Sequence, residues 1–270
     1  MKCLHPILIH NAEKPYYTVF SCKNGSKFAL DHIYVPCGQC IACRLNYAKL
    51  WSIRMMEELK NHDKACFVTL TYDDEHLGYI CEDKGSPVLV KEDLQKFWKR
   101  LRKYRKVRYF CCGEYGDRFG RPHYHAIIYG VAPEEKDLIE KHWKNGLVHV
   151  GTVTEDSCAY VAKYMTKKLN GRALKEKLEE DPDYQNEFVL MSRRPGIGGE
   201  PSPAMIKFMK ENGFVYRKDK RSSLPRYYTN KYDIKFKLVD VDIEKFDKHL
   251  TNFENNDNLI RNRLKFFGRK

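Results

Sequence analysis

Hydrophobic positions recur regularly through the middle of the chain and lose their period at both ends. From Ile41 to Lys60 they follow a helical repeat, with Leu45, Ala48, Trp51, Ile53, Met55, Met56 and Leu59 supplying the apolar positions. CFVTLTY (Cys66 to Tyr72) is rich in β-branched and aromatic residues and predicts a buried strand. KEDLQKFWKRLRKY (Lys91 to Tyr104) sets Leu94, Phe97, Trp98, Leu101 and Tyr104 on one helix face. VRYFCCGEY (Val107 to Tyr115) predicts a strand, GDRFGRP a turn, and HYHAIIYG (His123 to Gly130) the returning strand. PEEKDLIEKHW (Pro133 to Trp143) opens with proline and acids, as a helix start does. LVHVGTVT (Leu147 to Thr154) alternates like a strand, and Asp156 or Ser157 is placed to cap a helix carrying CAYVAKYMTKKL.

The predicted order over residues 66–170 is therefore strand, helix, strand, strand, helix, strand, helix. Two β-α-β units in series give an α+β class and a ferredoxin- or RRM-like split antiparallel sheet, with helices expected on one face. Beyond Leu169 the pattern loosens: RALKEKLEE predicts a helix, SRRPGIGGEPSP a loop and KDKRSSLPRYY a basic linker. The last fifty residues are charged, helical in part, and end on RNRLKFFGRK. The expected division is a cysteine-containing segment and helix over 1–62, a core over 63–172 and a basic extension over 173–270. Such a sheet serves many functions, so the chemistry has to be read from particular residues.

Charge narrows the partners. Lys and Arg number 49 against 36 Asp and Glu, a formal net charge of +13, which favours an anionic partner such as nucleic acid. The 18 Tyr and 14 Phe add faces on which unpaired bases can stack. No stretch reads as a signal peptide or a membrane span, because the N-terminal apolar run is interrupted by Asn11 and Glu13. Ten cysteines without an export signal point to a reducing cytoplasm, and so to thiols or metal sites rather than disulfides.

Three pieces carry candidate chemistry. His123 and His125 alternate on a strand, so both project from one face and can ligate one divalent metal. Glu114 precedes the turn and falls opposite or nearly opposite the histidines on the neighbouring strand; a Glu buried there is costly unless a metal or base satisfies it. Tyr160 and Tyr164, four residues apart, share one helix face, with Lys163 beside them and Lys167 a turn further on. A tyrosine pair at this spacing also suits core packing, but the accompanying lysines favour a face that meets phosphate. A metal on a phosphodiester oxygen withdraws charge, a tyrosine phenolate attacks, and a lysine favours the phenolate.

The order of these pieces resembles a known family. Val68-Thr69-Leu70-Thr71-Tyr72, then GEYG…RPHYHAIIYG, then YVAKYMTKK are similar to the three motifs of HUH rolling-circle replication initiators. VPCGQCIACRLNYAKLW and MSRRPGIG resemble the initiators of gokushovirus-like microviruses, single-stranded DNA phages, over most of residues 1–230. The resemblance implies an HUH endonuclease core and a two-tyrosine nuclease that nicks single-stranded DNA at a replication origin. It implies Mg2+ or Mn2+ on Glu114, His123 and His125, with Tyr160 as first nucleophile, Lys163 as its partner and Tyr164 as second nucleophile. It also implies a 5′-phosphotyrosine intermediate, strand rejoining at the end of rolling-circle replication, host helicase and polymerase as partners, and action in the cytoplasm of a bacterial host.

Cys37, Cys40 and Cys43 form a run at spacing three, with Cys3 and Cys22 upstream. Four thiolates, Cys3, Cys37, Cys40 and Cys43, could hold a structural Zn2+; an iron–sulfur cluster or free thiols are the alternatives. The other cysteines, Cys111 and Cys112 among them, read as small core residues, and His142 and His149 as structural or surface groups. Arg193 and Arg194, in SRRPGIG, can meet a DNA phosphate or sit on a basic surface turn. Two rival functions stay open: a non-catalytic module that stacks single-stranded nucleic acid, and a plasmid mobilisation relaxase with related chemistry.

Overall fold

The periodic middle of the chain forms a five-stranded antiparallel sheet with helices against both of its faces. The computed structural model describes residues 3–10, 19–21, 27–29, 32–84, 87–116, 120–164 and 172–234. These fall into two compact units, a larger one over Ala48–Tyr232 and a smaller one that takes in residues up to Tyr47.

In the smaller unit β1 (Ile7–His10) pairs with β4 (His32–Val35), and β2 (Val19–Ser21) pairs with β3 (Lys27–Ala29), both antiparallel. The sequence pattern here is irregular, because strands of three and four residues are too short for alternation to register. The helix α1 (Ile41–Leu59) follows where its apolar repeat predicts it.

The larger unit runs through β5 (Ala65–Thr71), α2 (Asp74–Lys84), α3 (Lys91–Arg102), β6 (Arg108–Tyr115) and β7 (Pro122–Tyr129). It continues with α4 (Lys136–Trp143), β8 (Val148–Thr152), α5 (Glu155–Lys163), α6 (Arg172–Glu180) and β9 (Phe188–Met191). The strand order is β8-β5-β7-β6-β9, with every neighbouring pair antiparallel. The first four strands thus stand in the order that two interleaved β-α-β units generate, and β9 adds a fifth beside β6.

Alternation divides the side chains between two cores. Val68, Leu70, Cys111, Ala126 and Ile128 pack on one face against Leu94, Phe97, Trp98 and Leu101 of α3 and Ile139 and Trp143 of α4. Leu94, Phe97 and Leu101 are fully buried, worth roughly 1.5–3 kcal/mol each. On the other face Phe110, Cys112, Ile127 and Tyr129 meet Met55 of α1 and Cys158, Val161 and Ala162 of α5. The expectation of helices on one face is therefore corrected: α1 and α5, outside the two β-α-β crossovers, cover the second.

Three further corrections concern boundaries. The cap of α5 is Thr154 rather than Asp156 or Ser157: its side chain accepts from the Ser157 N–H at 3.1 Å, and Ser157 Oγ accepts from the Thr154 N–H at 2.8 Å. The stretch that reads as a basic linker holds β11 (Lys220–Ser223), paired with β10 (Phe214–Arg217), and then α8 (Arg226–Lys231), all after α7 (Pro203–Asn212). Lys218 and Asp219 between those strands both take positive φ, 45° and 57°, as a two-residue hairpin turn requires. The helix α2 has no counterpart among the predicted elements; Gly78 in its middle weakens the sequence signal. Lys167, Cys22, part of the turn after Gly116 and the C-terminal residues from 235 lie outside the described residues.

Candidate active site

The centre of the sheet sets the site's geometry. β7 lies between β5 and β6, so each of its residues has a partner on both sides: His123 faces Glu114 and Thr71, and His125 faces Cys112 and Thr69. Glu114, His123 and His125 share the face carrying Phe110, Cys112 and Ile127, the one that α1 and α5 cover. The Oε1 of Glu114 lies 2.9 Å from Nε2 of His123 and 2.9 Å from Nε2 of His125. Glu114 is only 2% exposed, and a carboxylate so buried costs several kcal/mol unless its charge is met.

Neighbouring groups fix both imidazoles. His125 Nδ1 is hydrogen-bonded to Thr69 Oγ1 at 2.9 Å, and His123 Nδ1 lies 3.1 Å from the carbonyl of Arg121. The Thr69 hydroxyl can donate or accept, so it holds His125 in either tautomer. Phe67 stacks on His125 with centroids 5.7 Å apart and planes 11° apart. Thr69 stands within a motif of the sequence, yet the sequence alone gives it no role. The available signal is a polar residue at an alternating position of a central strand.

One carboxylate oxygen and two imidazole nitrogens, all within 4.8 Å of one another, fit a single divalent cation and leave room for other ligands on it. His142 and His149 belong to neither cluster of possible metal ligands among the described residues. His142 is buried and stacks on Tyr104 at 4.7 Å, whereas His149 is exposed.

The helix α5 brings both tyrosines to the same imidazole. Tyr160 Oη is 3.5 Å from His125 Nε2, and the two rings meet edge-on at 5.0 Å. Tyr164, the residue that ends α5, stacks on His125 at 5.5 Å and meets Tyr160 edge-on at 5.0 Å. Their exposures differ: Tyr160 is 42% exposed and Tyr164 6%. Burial pushes the Tyr164 phenol far above its ordinary pKa, and its hydrogen bond with Tyr160 and the charge of Glu114 add to the shift. Lys163 is exposed, so at the end of α5 the lysine faces solvent while Tyr164 faces the core.

Arg193 and Arg194 do not join this cluster. Ser192 pairs with Tyr109 at the start of β6, through its N–H at 2.9 Å and through Oγ, which accepts from the Tyr109 N–H at 3.1 Å. Glu114 lies near the other end of that strand, on the order of 15–20 Å away. Both arginines are exposed on a cleft of about 730 Å³, shared with Arg102, Lys106, Arg108 and Tyr109. The loop beneath is anchored to α1: Gly198 donates its N–H to Glu58 Oε2 at 2.7 Å, and Arg54 Nε donates to the Ile197 carbonyl at 2.9 Å. Gly198 sits at φ +65°, where an added Cβ would meet the Arg54 carbonyl oxygen at 2.3 Å. The sequence does not single out Arg102 or Lys106, because they come from a different part of the chain.

In the smaller unit, the sulfur atoms of Cys3, Cys37, Cys40 and Cys43 all lie within 4.8 Å of one another. Burial opposes the Cys40 thiolate, but the N–H groups of Leu4 and Cys43 and the thiols of Cys43 and Cys37 outweigh it and hold Cys40 low, at about 6. Burial pushes Cys43 up to about 12. Cys66, Cys111, Cys112 and Cys158 are buried singly in the larger unit.

Comparison with known proteins points to one class. A family model described as replication-associated protein ORF2 matches residues 65–169. The chain is 30% identical to the replication-associated protein ORF2 of Spiroplasma virus 4 over 86% of its own length and 81% of that protein's. It is likewise 30% identical to the replication-associated protein VP4 of Bdellovibrio phage phiMH2K, over 97% of this chain and 90% of that one. With the replication-associated protein ORF4 of Chlamydia phage 1 the identity is again 30%, over 50% of this chain and 38% of the other. No solved structure matches. Among the described residues no helix is long and apolar enough to cross a membrane.

Proposed function

The chain belongs to the family of phage replication-associated proteins, and on that premise we propose that it nicks single-stranded DNA at a replication origin, as an HUH-type endonuclease using Tyr160. The observation that carries this reading is the convergence of Glu114, His123 and His125 within 4.8 Å, with the hydroxyl of Tyr160 3.5 Å from one of the three. A fold built only to stack bases has no use for a buried carboxylate wedged between two imidazoles. The interleaved strand order agrees with an HUH core.

Glu114, His123 and His125 would hold Mg2+ or Mn2+, which would draw charge from a non-bridging oxygen of the scissile phosphate. Tyr160, exposed at the mouth of the site, is placed to meet that phosphate. Its phenol releases a proton to solvent, and the oxygen forms a bond to phosphorus. The bond from phosphorus to the 3′ oxygen breaks, and that oxygen takes up a proton to become a free 3′-hydroxyl, a primer end. The DNA 5′ end stays on Tyr160 as a phosphotyrosine, which conserves the energy of the broken bond. Lys163, exposed at the same helix end, offsets phosphate charge. Tyr164 makes the second attack, which rejoins the strand and ends a round of rolling-circle replication.

Arg193 and Arg194, with Lys167, bind DNA phosphates away from the cut, so they position the strand rather than take part in the chemistry. In this role the protein works in the bacterial host's cytoplasm beside host helicase and polymerase, which open and copy the origin.

A labelled single-stranded oligonucleotide carrying the origin, incubated with Mg2+ or Mn2+ and run on a denaturing gel, tests the reading. A protein-linked DNA band that depends on the metal is expected. Binding without any covalent band, with either ion, overturns it.

A further inference from the structure

We propose that Cys3, Cys37, Cys40 and Cys43 hold one zinc ion as a structural tetrathiolate centre. This goes beyond the nuclease chemistry and does not depend on it. The Sγ of Cys3 lies 3.5 Å from that of Cys37 and 3.8 Å from that of Cys40. A tetrahedron with zinc–sulfur bonds of about 2.3 Å has sulfur–sulfur edges of about 3.8 Å. The thiols are thus already spaced as the corners of such a tetrahedron. They are free rather than bridged, so the cluster is not a pair of disulfides. Nor can the sulfurs, all within 4.8 Å of one another, straddle several irons; a single ion fits between them.

The backbone is arranged for thiolates as well. The N–H of Cys37 donates to Cys3 Sγ at 3.2 Å, that of Leu4 to Cys40 Sγ at 3.4 Å, and that of Cys40 to Cys37 Sγ at 3.3 Å. A tetrathiolate around a divalent ion carries net negative charge, and peptide N–H donors disperse it. Gly38, at φ +73°, turns the chain tightly enough for the Cys40 N–H to reach back to the sulfur of Cys37. Ile41 then starts α1, which places Cys43 in its first turn.

The centre has a structural purpose. Cys3 lies 34 residues from Cys37, so the ion would close a long loop and fix the start of the chain to the start of α1. The paired strands between them are short, and small units of this kind commonly rely on a metal in place of a large apolar core.

Metal analysis of the full chain, purified without chelator, is expected to find one zinc per chain. The ion should be released by a mercurial thiol reagent and replaceable by cobalt(II), giving the absorption of a tetrahedral cobalt thiolate. Because zinc could also occupy the histidine site, the same count is made on His123→Ala/His125→Ala protein, which should keep its zinc. Cys40→Ser should lose the ion, whereas Cys81→Ser, outside the cluster, should keep it. If Cys40→Ser protein does not fold, the cobalt spectrum of the unaltered chain still decides. Zinc well below one per chain, iron in its place, or a cobalt spectrum without thiolate character overturns the proposal.

Discussion

The hydroxyl of Tyr160 lies 3.5 Å from Nε2 of His125, and the two rings meet edge-on at 5.0 Å. This contact joins two elements that are distant in sequence, the central strand β7 and the helix α5. It holds because His125 is fixed from several sides: by Thr69 on β5, by the flat face of Phe67 and by the carboxylate of Glu114 on β6. A nucleophile and a metal ligand in contact therefore depend on three strands keeping register.

Thr69 is accordingly a positioning residue. Thr69→Val keeps the shape of the side chain and removes its hydrogen bond to His125 Nδ1. The metal concentration for half-maximal cleavage should rise by about 10-fold, with activity largely restored at saturating metal. An unchanged metal titration, with intact cleavage, would show that His125 does not need this support.

Glu58 fastens the loop that carries Arg193 and Arg194. Its carboxylate accepts from Arg108 Nη2 at 3.3 Å and from the Gly198 N–H at 2.7 Å, and Arg108 Nε also donates to it. Burial works to raise its pKa, but hydrogen bonds from Arg108, His62 and Gly198 outweigh burial and hold it below the ordinary glutamate range. A depressed pKa in the folded chain means that the unfolded chain protonates first as pH falls. The contribution is thus fully present above about pH 4.3 and is lost as pH drops through the lower folded value. Glu58→Gln should cost about 2–3 kcal/mol at neutral pH, with the gap from the parent narrowing below about pH 4. Denaturant melts at several pH values measure both, and a gap that stays constant with pH would contradict the assignment.

The arginines of that loop make a separate prediction. If Arg193 and Arg194 bind phosphate, each change to Ala should weaken single-stranded DNA binding about equally for all sequences. Each should also reduce the slope of log affinity against log salt by about 1. A loss confined to the origin sequence, with the salt slope unchanged, would assign them to base reading instead.

These relationships differ in how far the sequence displays them. Alternation in HYHAIIY and the turn before it put Glu114 and both histidines on neighbouring strands, because strand period and hairpin closure are local properties. The meeting of Tyr160 with His125 is less accessible, since it depends on which face of the sheet α5 covers, and the sequence pattern leads one to expect helices on the opposite face alone. The different exposures of Tyr160 and Tyr164 depend on the same packing. Arg102 and Lys106 join Arg193 across the sheet edge only because β9 pairs with β6, and FVLM is too short to announce itself as a strand. For Lys167, outside the described residues, there is nothing beyond its spacing.

The last prediction concerns the division of labour between the tyrosines. Both rings touch the same imidazole, so either hydroxyl belongs to one site, but they are not equivalent. Tyr160 is 42% exposed and can meet an incoming phosphate without rearrangement. Tyr164 is 6% exposed and lies flat against His125, so its hydroxyl reaches a phosphate only if the end of α5 shifts. That order suits a two-step reaction: Tyr160 opens the strand, and its departure toward the bound 5′ end uncovers Tyr164 for the second attack. Tyr160→Phe should therefore lower first cleavage of an oligonucleotide by more than about 100-fold, leaving a residue due to Tyr164. Tyr164→Phe should leave first cleavage within about 3-fold of the parent and abolish the joining of the cut strand to a second one. The double variant should form no covalent adduct. Denaturing gels with 5′- and 3′-labelled strands separate the two steps. Equal loss of first cleavage in both single variants would remove the ordered scheme, and adduct in the double variant would place the nucleophile elsewhere than on α5.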